Sequence, residues 1–329
     1  MTAPPQDPIL VTGATGFVGS HLVRRLVDSG YRVVGLSTSG KMGRLKGLAD
    51  TGKGLAGSIE IVRADIRDSE NILGIMERYR FRTVFHVAAA GVHANADNVP
   101  AVTEANTAGS CTLGLGAVRF QVESFVYCGS GFEYLPQPES IDETRPIGSH
   151  TLYGASKAAG WLLLDYLARM EGLPLKTLRP FTIYGPGEST AKLIPYTMLS
   201  ALERIPRQFT AGLQIRDFLY VSDVVDAMLL ASEPGRFHGE IFNICSGPEA
   251  SLSVRAMVET IFALAGAPTS LCSFGEAERT RPDPPYLVGD PTKARQVLGW
   301  SPKVKLTEGL QKTMDAYAQE ALATVRAAT

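Results

Sequence analysis

The stretch that most constrains this chain is Ile9-Leu10-Val11-Thr12-Gly13-Ala14-Thr15-Gly16-Phe17-Val18-Gly19. A short apolar run, of the kind a strand buried on both faces requires, turns through Gly13, Gly16 and Gly19 at GxxGxxG spacing. It opens directly into a segment whose Leu22, Val23, Leu26 and Val27 share one helical face before Gly30. A strand feeding a helix through a tight glycine turn is the start of a βαβ unit. Glycines let the backbone approach a pyrophosphate, and the helix N-terminus offers free N–H groups and the positive end of its dipole. A dinucleotide site is predicted at this turn, with Thr15, Phe17 and Val18 among its residues.

The same alternation continues through the first half of the chain. Strand-like runs fall at Arg32–Leu36, Ile59–Arg63, Thr83–Val87, Ser124–Cys128 and Leu175–Arg179. Asp68 is placed to cap a helix carrying Ile72, Leu73, Ile75 and Met76, and amphipathic helices are predicted over 101–120 and 153–171. The fold class is therefore α/β, a Rossmann-type doubly wound parallel sheet with helices on both faces. After Arg179 the rhythm loosens: a Gly-Pro-Gly loop at 185–189, helices over 194–204, 223–232 and 253–265, a strand over 241–244, and a proline-rich segment Arg281–Pro285. Residues 1–180 are read as the dinucleotide-binding domain. Residues 181–329 are read as a smaller mixed α/β substrate lobe, some of whose segments return to the sheet.

Composition narrows the function. Lys and Arg number 32 against 33 Asp and Glu, a formal net charge of -1, so no general attraction to nucleic acid or a membrane surface is expected. No apolar run reaches the roughly 18 residues of a membrane helix, and the N-terminus is not patterned as a signal peptide. Cys111, Cys128, Cys245 and Cys272 show no CxxC spacing, which fits a reducing, cytoplasmic setting. His21, His86, His93, His150 and His238 are scattered, so no metal site is expected. His86 reads as a structural neighbour of the cofactor, and Cys128 as a small apolar residue in its strand.

Three local patterns carry chemistry. The second strand ends in Ser37-Thr38-Ser39, followed by Lys41 and Arg44, where an NAD site usually carries an acid for the adenosine ribose. Hydroxyls and cations in its place favour NADP(H), with NAD possible. Asp65-Ile66 sits where a carboxylate can bond the adenine amino group, and the small Ala88 and Ala89 follow the fourth strand. Tyr153 and Lys157 are spaced i, i+4 on one helix face, so that the ammonium is expected to lower the tyrosine pKa and ready it for proton exchange. Ser130 follows a strand at its carboxyl end, where open α/β sheets place ligands.

With these residues the chain resembles the extended short-chain dehydrogenase/reductase family, in its branch that modifies nucleotide-linked sugars, over nearly its whole length. The resemblance implies that Ser130, Tyr153 and Lys157 are the catalytic set, that Gly13, Gly16 and Gly19 hold the cofactor, and that Asp65 contacts adenine. Pro180 and Ile183, within Pro180-Phe181-Thr182-Ile183-Tyr184-Gly185, match the segment flanking the nicotinamide. Arg216, in Arg216-Asp217-Phe218-Leu219-Tyr220-Val221-Ser222-Asp223, and Arg281, in Arg281-Pro282-Asp283, resemble the pair that holds the substrate diphosphate. Gly131, Phe132, Leu193 and Phe209 fall among the implied substrate contacts, and Asn106 matches an active-site support. Asp290-Pro291-Thr292-Lys293-Ala294 and Leu298-Gly299-Trp300 resemble the family's closing motif. Helices 101–120 and 153–171 resemble those that pair in family dimers, which implies a homodimer.

The departures select among reactions. Sugar 4,6-dehydratases carry Asp-Glu directly after the catalytic hydroxyl residue, whereas this chain has Gly131-Phe132. Decarboxylases carry a Glu two residues on, where Phe132 stands, and Glu133 is displaced by one. A net reductase and a hydride-in, hydride-out epimerase both remain, and the Ser37, Lys41 and Arg44 region favours a ketoreductase that takes hydride from NADPH and acts on a 4-keto nucleotide sugar. The alternatives are a C4 epimerase with tightly held NAD and a catalytically silent NADP-binding module.

Overall fold

The computed structural model describes residues 7–46, 48, 57–91, 98–277 and 283–328. In chain order the first half comprises β1 (Ile9–Thr12), α1 (Phe17–Asp28), β2 (Arg32–Ser37), β3 (Ser58–Arg63), α2 (Ser69–Tyr79), β4 (Thr83–His86), α3 (Val99–Thr103), α4 (Ser110–Arg119), β5 (Ser124–Cys128), α5 (Leu152–Glu171) and β6 (Leu175–Pro180). The second half comprises β7 (Thr182–Tyr184), α6 (Leu193–Glu203), β8 (Arg207–Phe209), β9 (Ile215–Arg216), β10 (Phe218–Tyr220), α7 (Val221–Ala231) and β11 (Ile241–Ile244). It closes with β12 (Leu252–Ser253), α8 (Val254–Leu264), β13 (Cys272–Phe274), β14 (Tyr286–Leu287) and α9 (Leu306–Ala328).

Seven parallel strands form the central sheet in the order β11-β6-β5-β4-β1-β2-β3. The inner strands β1, β4 and β5 are buried along their whole length because helices cover both faces. In β1, Ile9 and Val11 join one apolar layer and Leu10 the other. Helices α1 and α7 close the first face through Leu22, Val23, Leu26, Val224, Val225 and Met228, with Trp300 beside them. Helices α2, α4 and α5 close the second through Ile72, Met76, Leu113, Leu164 and Leu167. The strand order reverses between β1 and β4, and a ligand cleft forms beyond the carboxyl ends of strands at such a switch point.

The second half builds a smaller lobe. Its strands pair as β8 with β13, β7 with β10, and β9 between β12 and β14. Its core gathers Ile194, Met198, Phe218, Met257, Ile261, Phe262, Leu310 and Met314. Two segments from this half go back to the large sheet: β11 pairs with β6, and α7 packs beside α1.

Two sequence expectations change at this level. The helix read over 101–120 is broken by a π-helical turn, Glu104–Gly109, between α3 and α4. Helix α5 presses on this turn so closely that a Cβ at Gly160 would overlap the Asn106 carbonyl oxygen. The fourth strand ends at His86, one residue short of the expectation, because the Val87 and Ala88 N–H groups turn to the Thr12 hydroxyl. Among the described residues no helix is long and apolar enough to cross a membrane, and no group of three or more His, Cys, Asp or Glu is placed to hold a metal ion.

Candidate active site

The glycine turn sits at the switch point and is shaped by close backbone packing. Gly13 has φ +66°, and a Cβ there would lie 2.8 Å from the Cα of Ala88. A Cβ at Gly19 would overlap the Gly13 carbonyl oxygen. Gly16 donates its N–H to Gly13 O at 2.9 Å and precedes α1 with no side chain capping that helix. The first-turn N–H groups of α1 and the positive end of its dipole therefore point into the turn, with no acidic side chain beside them. Phe17 and Val18 instead face the second lobe and pack against its core with Ile183.

At the end of β2 the hydroxyls of Thr15, Ser37 and Ser39 form a cluster: Thr15 Oγ1 donates to Ser37 Oγ at 3.2 Å, and Ser37 and Ser39 are 3.1 Å apart. Thr38 and Lys41 are exposed beside it. Arg44 reaches over the turn, its Nε donating to Gly187 O at 2.6 Å and its Nη1 to Thr15 O at 3.3 Å. It thus joins the glycine turn to the Gly-Pro-Gly loop, a contact the sequence did not show. Asp65 and Ile66 follow β3, and Arg67 grips both Asp65 oxygens in a fork, which holds that carboxyl below its usual range.

Behind the turn runs a buried chain of hydrogen bonds. Thr12 Oγ1 accepts from Val87 N and Ala88 N, so its own proton goes to His86 Nδ1 at 2.8 Å. Ser110 donates to Asn106 O, so it accepts from His86 Nε2, also at 2.8 Å. His86 is thereby a neutral Nε2–H imidazole, and burial holds its pKa well below the ordinary value. Asn106 extends the chain to Ala90 and to Ser156, which donates to the Tyr153 carbonyl. Ala88 abuts the glycine turn at Gly13.

The three candidate reacting residues converge at the carboxyl end of β5. Ser130 accepts from Phe132 N at 3.2 Å and its hydroxyl donates to the Tyr153 phenol. Lys157 is fully buried, with its ammonium over the Tyr127 ring at 4.1 Å and no hydrogen-bond partner among the described residues. The expected lowering of the Tyr153 pKa is not observed. Burial raises the phenol, Cys128 and Glu133 raise it further, and only the Ser130 hydroxyl pulls it down. Desolvation here outweighs an ammonium that lies over Tyr127.

The remaining candidate residues lie in separate parts of the structure. Gly131 abuts the Phe181 ring, 3.0 Å from where a Cβ would be, and Phe132 packs near it. Pro180 ends β6, and Leu193 opens α6, half-buried. Arg216 is buried and ion-paired with Asp283, which Gln214 also bonds. Asp217 accepts from Ser246 N, Gly247 N and Gly289 N, and burial pushes its carboxyl up to about 6. The Phe209 ring lies in the second-lobe core against Tyr196 and Phe274. Arg281 and His93 lie outside the described residues. Asp223 works in the fold, its carbonyl accepting Trp300 Nε1 and its carboxylate Val304 N.

Sequence reasoning missed the ion pair beneath Ser130. Glu133 and Arg179 are 46 positions apart and meet at 2.7 Å with both side chains inaccessible. One signal was readable, the Ser-x-x-Glu spacing of a capping box, which Ser130 and Glu133 form.

Residues 9–245 match the NAD dependent epimerase/dehydratase family. The chain is 33% identical to UDP-glucose 4-epimerase of Mycolicibacterium smegmatis over 322 residues, covering 94% of this chain and 97% of that one. It is 29% identical to human dTDP-D-glucose 4,6-dehydratase over 318 residues, 94% of this chain and 89% of that one. Its structure is similar to that of UDP-glucose 4-epimerase from Thermotoga maritima with UDP-glucose, at TM-score 0.84 and 29% identity over 95% of this chain and 99% of that one. MoeE5 in complex with UDP-glucuronic acid and NAD is similar at TM-score 0.82 and 29% identity, with the same coverage. The fold and these relatives define an enzyme of the extended short-chain dehydrogenase/reductase class. Within that class, the chain belongs to the NAD-dependent epimerase/dehydratase family of nucleotide-sugar enzymes.

The residues present fit a nicotinamide dinucleotide. Gly13 and Gly19 leave a cradle that side chains would fill, and the buried, unpartnered Lys157 ammonium is the donor a ribose hydroxyl requires.

Proposed function

We propose that this chain is a ketoreductase that uses NADPH to reduce a 4-keto nucleotide sugar, with Tyr153 as the proton donor. The observation that carries this reading is the end of β2, where a cluster of Thr15, Ser37 and Ser39 hydroxyls, flanked by Arg44 and Lys41, takes the place of a ribose-binding carboxylate. Such a pocket favours a 2′-phosphate, and NADPH is a cofactor that is consumed and exchanged.

In this reading the nicotinamide, when bound, supplies hydride to the carbonyl carbon. Tyr153 gives its phenolic proton to the carbonyl oxygen as charge develops there, and Ser130 bonds that same oxygen. Lys157 holds the cofactor ribose through its free N–H groups and steadies the phenolate that remains. Gly131 and Phe132 offer no acid or base for water elimination, so the dehydratase reaction lacks its catalysts. Arg216 grips the diphosphate after exchanging Asp283 for it, and Arg281 is assigned the same task. The division into a cofactor domain over 1–180 and a substrate lobe over 181–329 is part of this proposal. So is a homodimer, supported by the exposed Leu115, Leu162, Leu163, Tyr166 and Met170 on α4 and α5.

A second reading, C4 epimerisation with retained NAD, is favoured by the epimerases among the relatives. The two are separated by supplying NADPH deuterated at its reactive position together with UDP- and dTDP-linked 4-keto-6-deoxyglucose. The reductase consumes one NADPH per sugar and leaves deuterium on C4. Turnover of UDP-glucose to UDP-galactose with no added cofactor contradicts it.

A further inference from the structure

Beneath Ser130 lies a charged pair that the reaction does not use. Glu133 Oε2 accepts from Arg179 Nε at 2.7 Å, while Glu133 Oε1 accepts from the Ser130 N–H at 2.8 Å. The Arg179 guanidinium lies 4.7 Å over the Tyr134 ring and 4.5 Å over the Trp161 ring. Its Nη1 donates to Tyr134 Oη, which donates to Asn243 Oδ1 on β11. One carboxylate thus ties the turn after β5 to β6, α5 and β11. Apolar side chains of similar volume fill such a space without the desolvation penalty of two ions, so the pair is not explained by stability alone. Gly129 supplies a second observation. A Cβ there would lie 2.5 Å from Glu133 Oε1 and 3.2 Å from Arg179 Cγ, so the backbone dispenses with a side chain to admit the carboxylate.

We propose that Glu133, clamped by Arg179, is a positioning residue: it pins the Ser130 backbone so that the hydroxyl faces Tyr153, and it sets a fixed negative charge beside the phenol. The inference rests on Ser130, Tyr153 and Lys157 being the reacting set. The electrostatics agree with it, since the Glu133 carboxylate raises both the Tyr153 phenol and the Lys157 ammonium and so favours the protonated form of each. The groups facing Tyr153 are Cys128 and Tyr127 from β5 and Glu133 and Ser130 from the turn, with the Lys157 ammonium over the Tyr127 ring. Those facing Glu133 are Arg179 and the Tyr127 and Tyr134 phenols, with Glu143 beyond Asn243 and His86 beyond Lys157.

The test follows kcat and KM against pH with NADPH and UDP- or dTDP-4-keto-6-deoxyglucose in the wild type, Glu133→Gln, Glu133→Asp, the double variant Glu133→Gln/Arg179→Met, and Tyr153→Phe. A proton donor is lost as pH rises through its pKa, so activity has an alkaline limb set by Tyr153. In Glu133→Gln we expect kcat to fall about ten- to hundredfold with KM within about threefold, and the alkaline limb to move about one pH unit lower. Glu133→Asp keeps the charge, and its limb stays in place. The double variant leaves no unpaired buried ion and is expected to show the lowered limb even if Glu133→Gln alone does not fold. An unmoved limb and unchanged kcat in the Glu133 variants, with Tyr153→Phe inactive, overturns this inference alone. Turnover retained by Tyr153→Phe overturns the reacting set and the inference together.

Discussion

The glycine turn after β1 and the turn after β5 lie at strand ends of one sheet, yet opposite means hold them in place. Around Gly13 and Gly19 the geometry is fixed by what is missing: two backbone segments touch because no Cβ separates them. Around Ser130 it is fixed by what is buried: Glu133, Arg179, Tyr134 and Asn243 in one bonded group. The first arrangement costs conformational entropy at a few glycines. The second costs on the order of several kcal/mol of ion desolvation, offset by hydrogen bonds at both ends of the pair. A pyrophosphate site needs N–H groups and room, which bare backbone provides. A proton-transfer site needs a side chain held in one direction and a set charge, which bare backbone cannot provide.

That contrast is open to direct attack. Tyr153→Phe removes the proposed proton donor without touching the glycine turn. Turnover is expected to drop about a thousandfold, with the cofactor Kd, read by fluorescence titration, unchanged within about threefold. A matching loss of cofactor affinity breaks the separation between the two regions. Gly19→Ala acts on the other side. Its methyl overlaps the Gly13 carbonyl, the turn must open, and cofactor affinity is expected to fall about a hundredfold. A dinucleotide still bound at wild-type strength shows that close packing at Gly19 is not what forms the site. Arg44→Ala is the mildest probe. Losing one charge-assisted contact is expected to weaken NADPH about tenfold while NADH changes little, and equal losses for both place Arg44 in the fold through Gly187 instead.

The same contrast explains what the sequence reveals. The strands of the main sheet, the Asp68 cap and the glycine turn leave local signatures, because each depends on neighbours in the chain. That Tyr153 and Lys157 share one helix was legible from their spacing, and that Ser130 follows a strand from the apolar run before it. The Glu133–Arg179 pair was not, since its members meet only when β5 and β6 pair side by side. Nor was the π turn at Glu104–Gly109, which is set by α5 packing at Gly160 rather than by local propensity. The direction of the Tyr153 pKa was misread for a related reason. Spacing puts Lys157 on the correct face, but it does not tell that its ammonium rests over Tyr127 or how far burial outweighs it. Arg216 was found as a candidate, while its partner Asp283 lies 67 positions away and has no pattern to announce it.

The central claim is that the hydroxyl and arginine pocket at the end of β2 serves an exchangeable NADPH. The most direct measurement is to denature freshly purified, never-dialysed protein, quantify every dinucleotide released per chain, and titrate NADPH and NADH onto the emptied protein. The expected result is well under one equivalent of NAD released and NADPH bound at least about tenfold more tightly than NADH. One equivalent of NAD released per chain, with no preference for the 2′-phosphate, contradicts it and leaves the epimerase reading in its place.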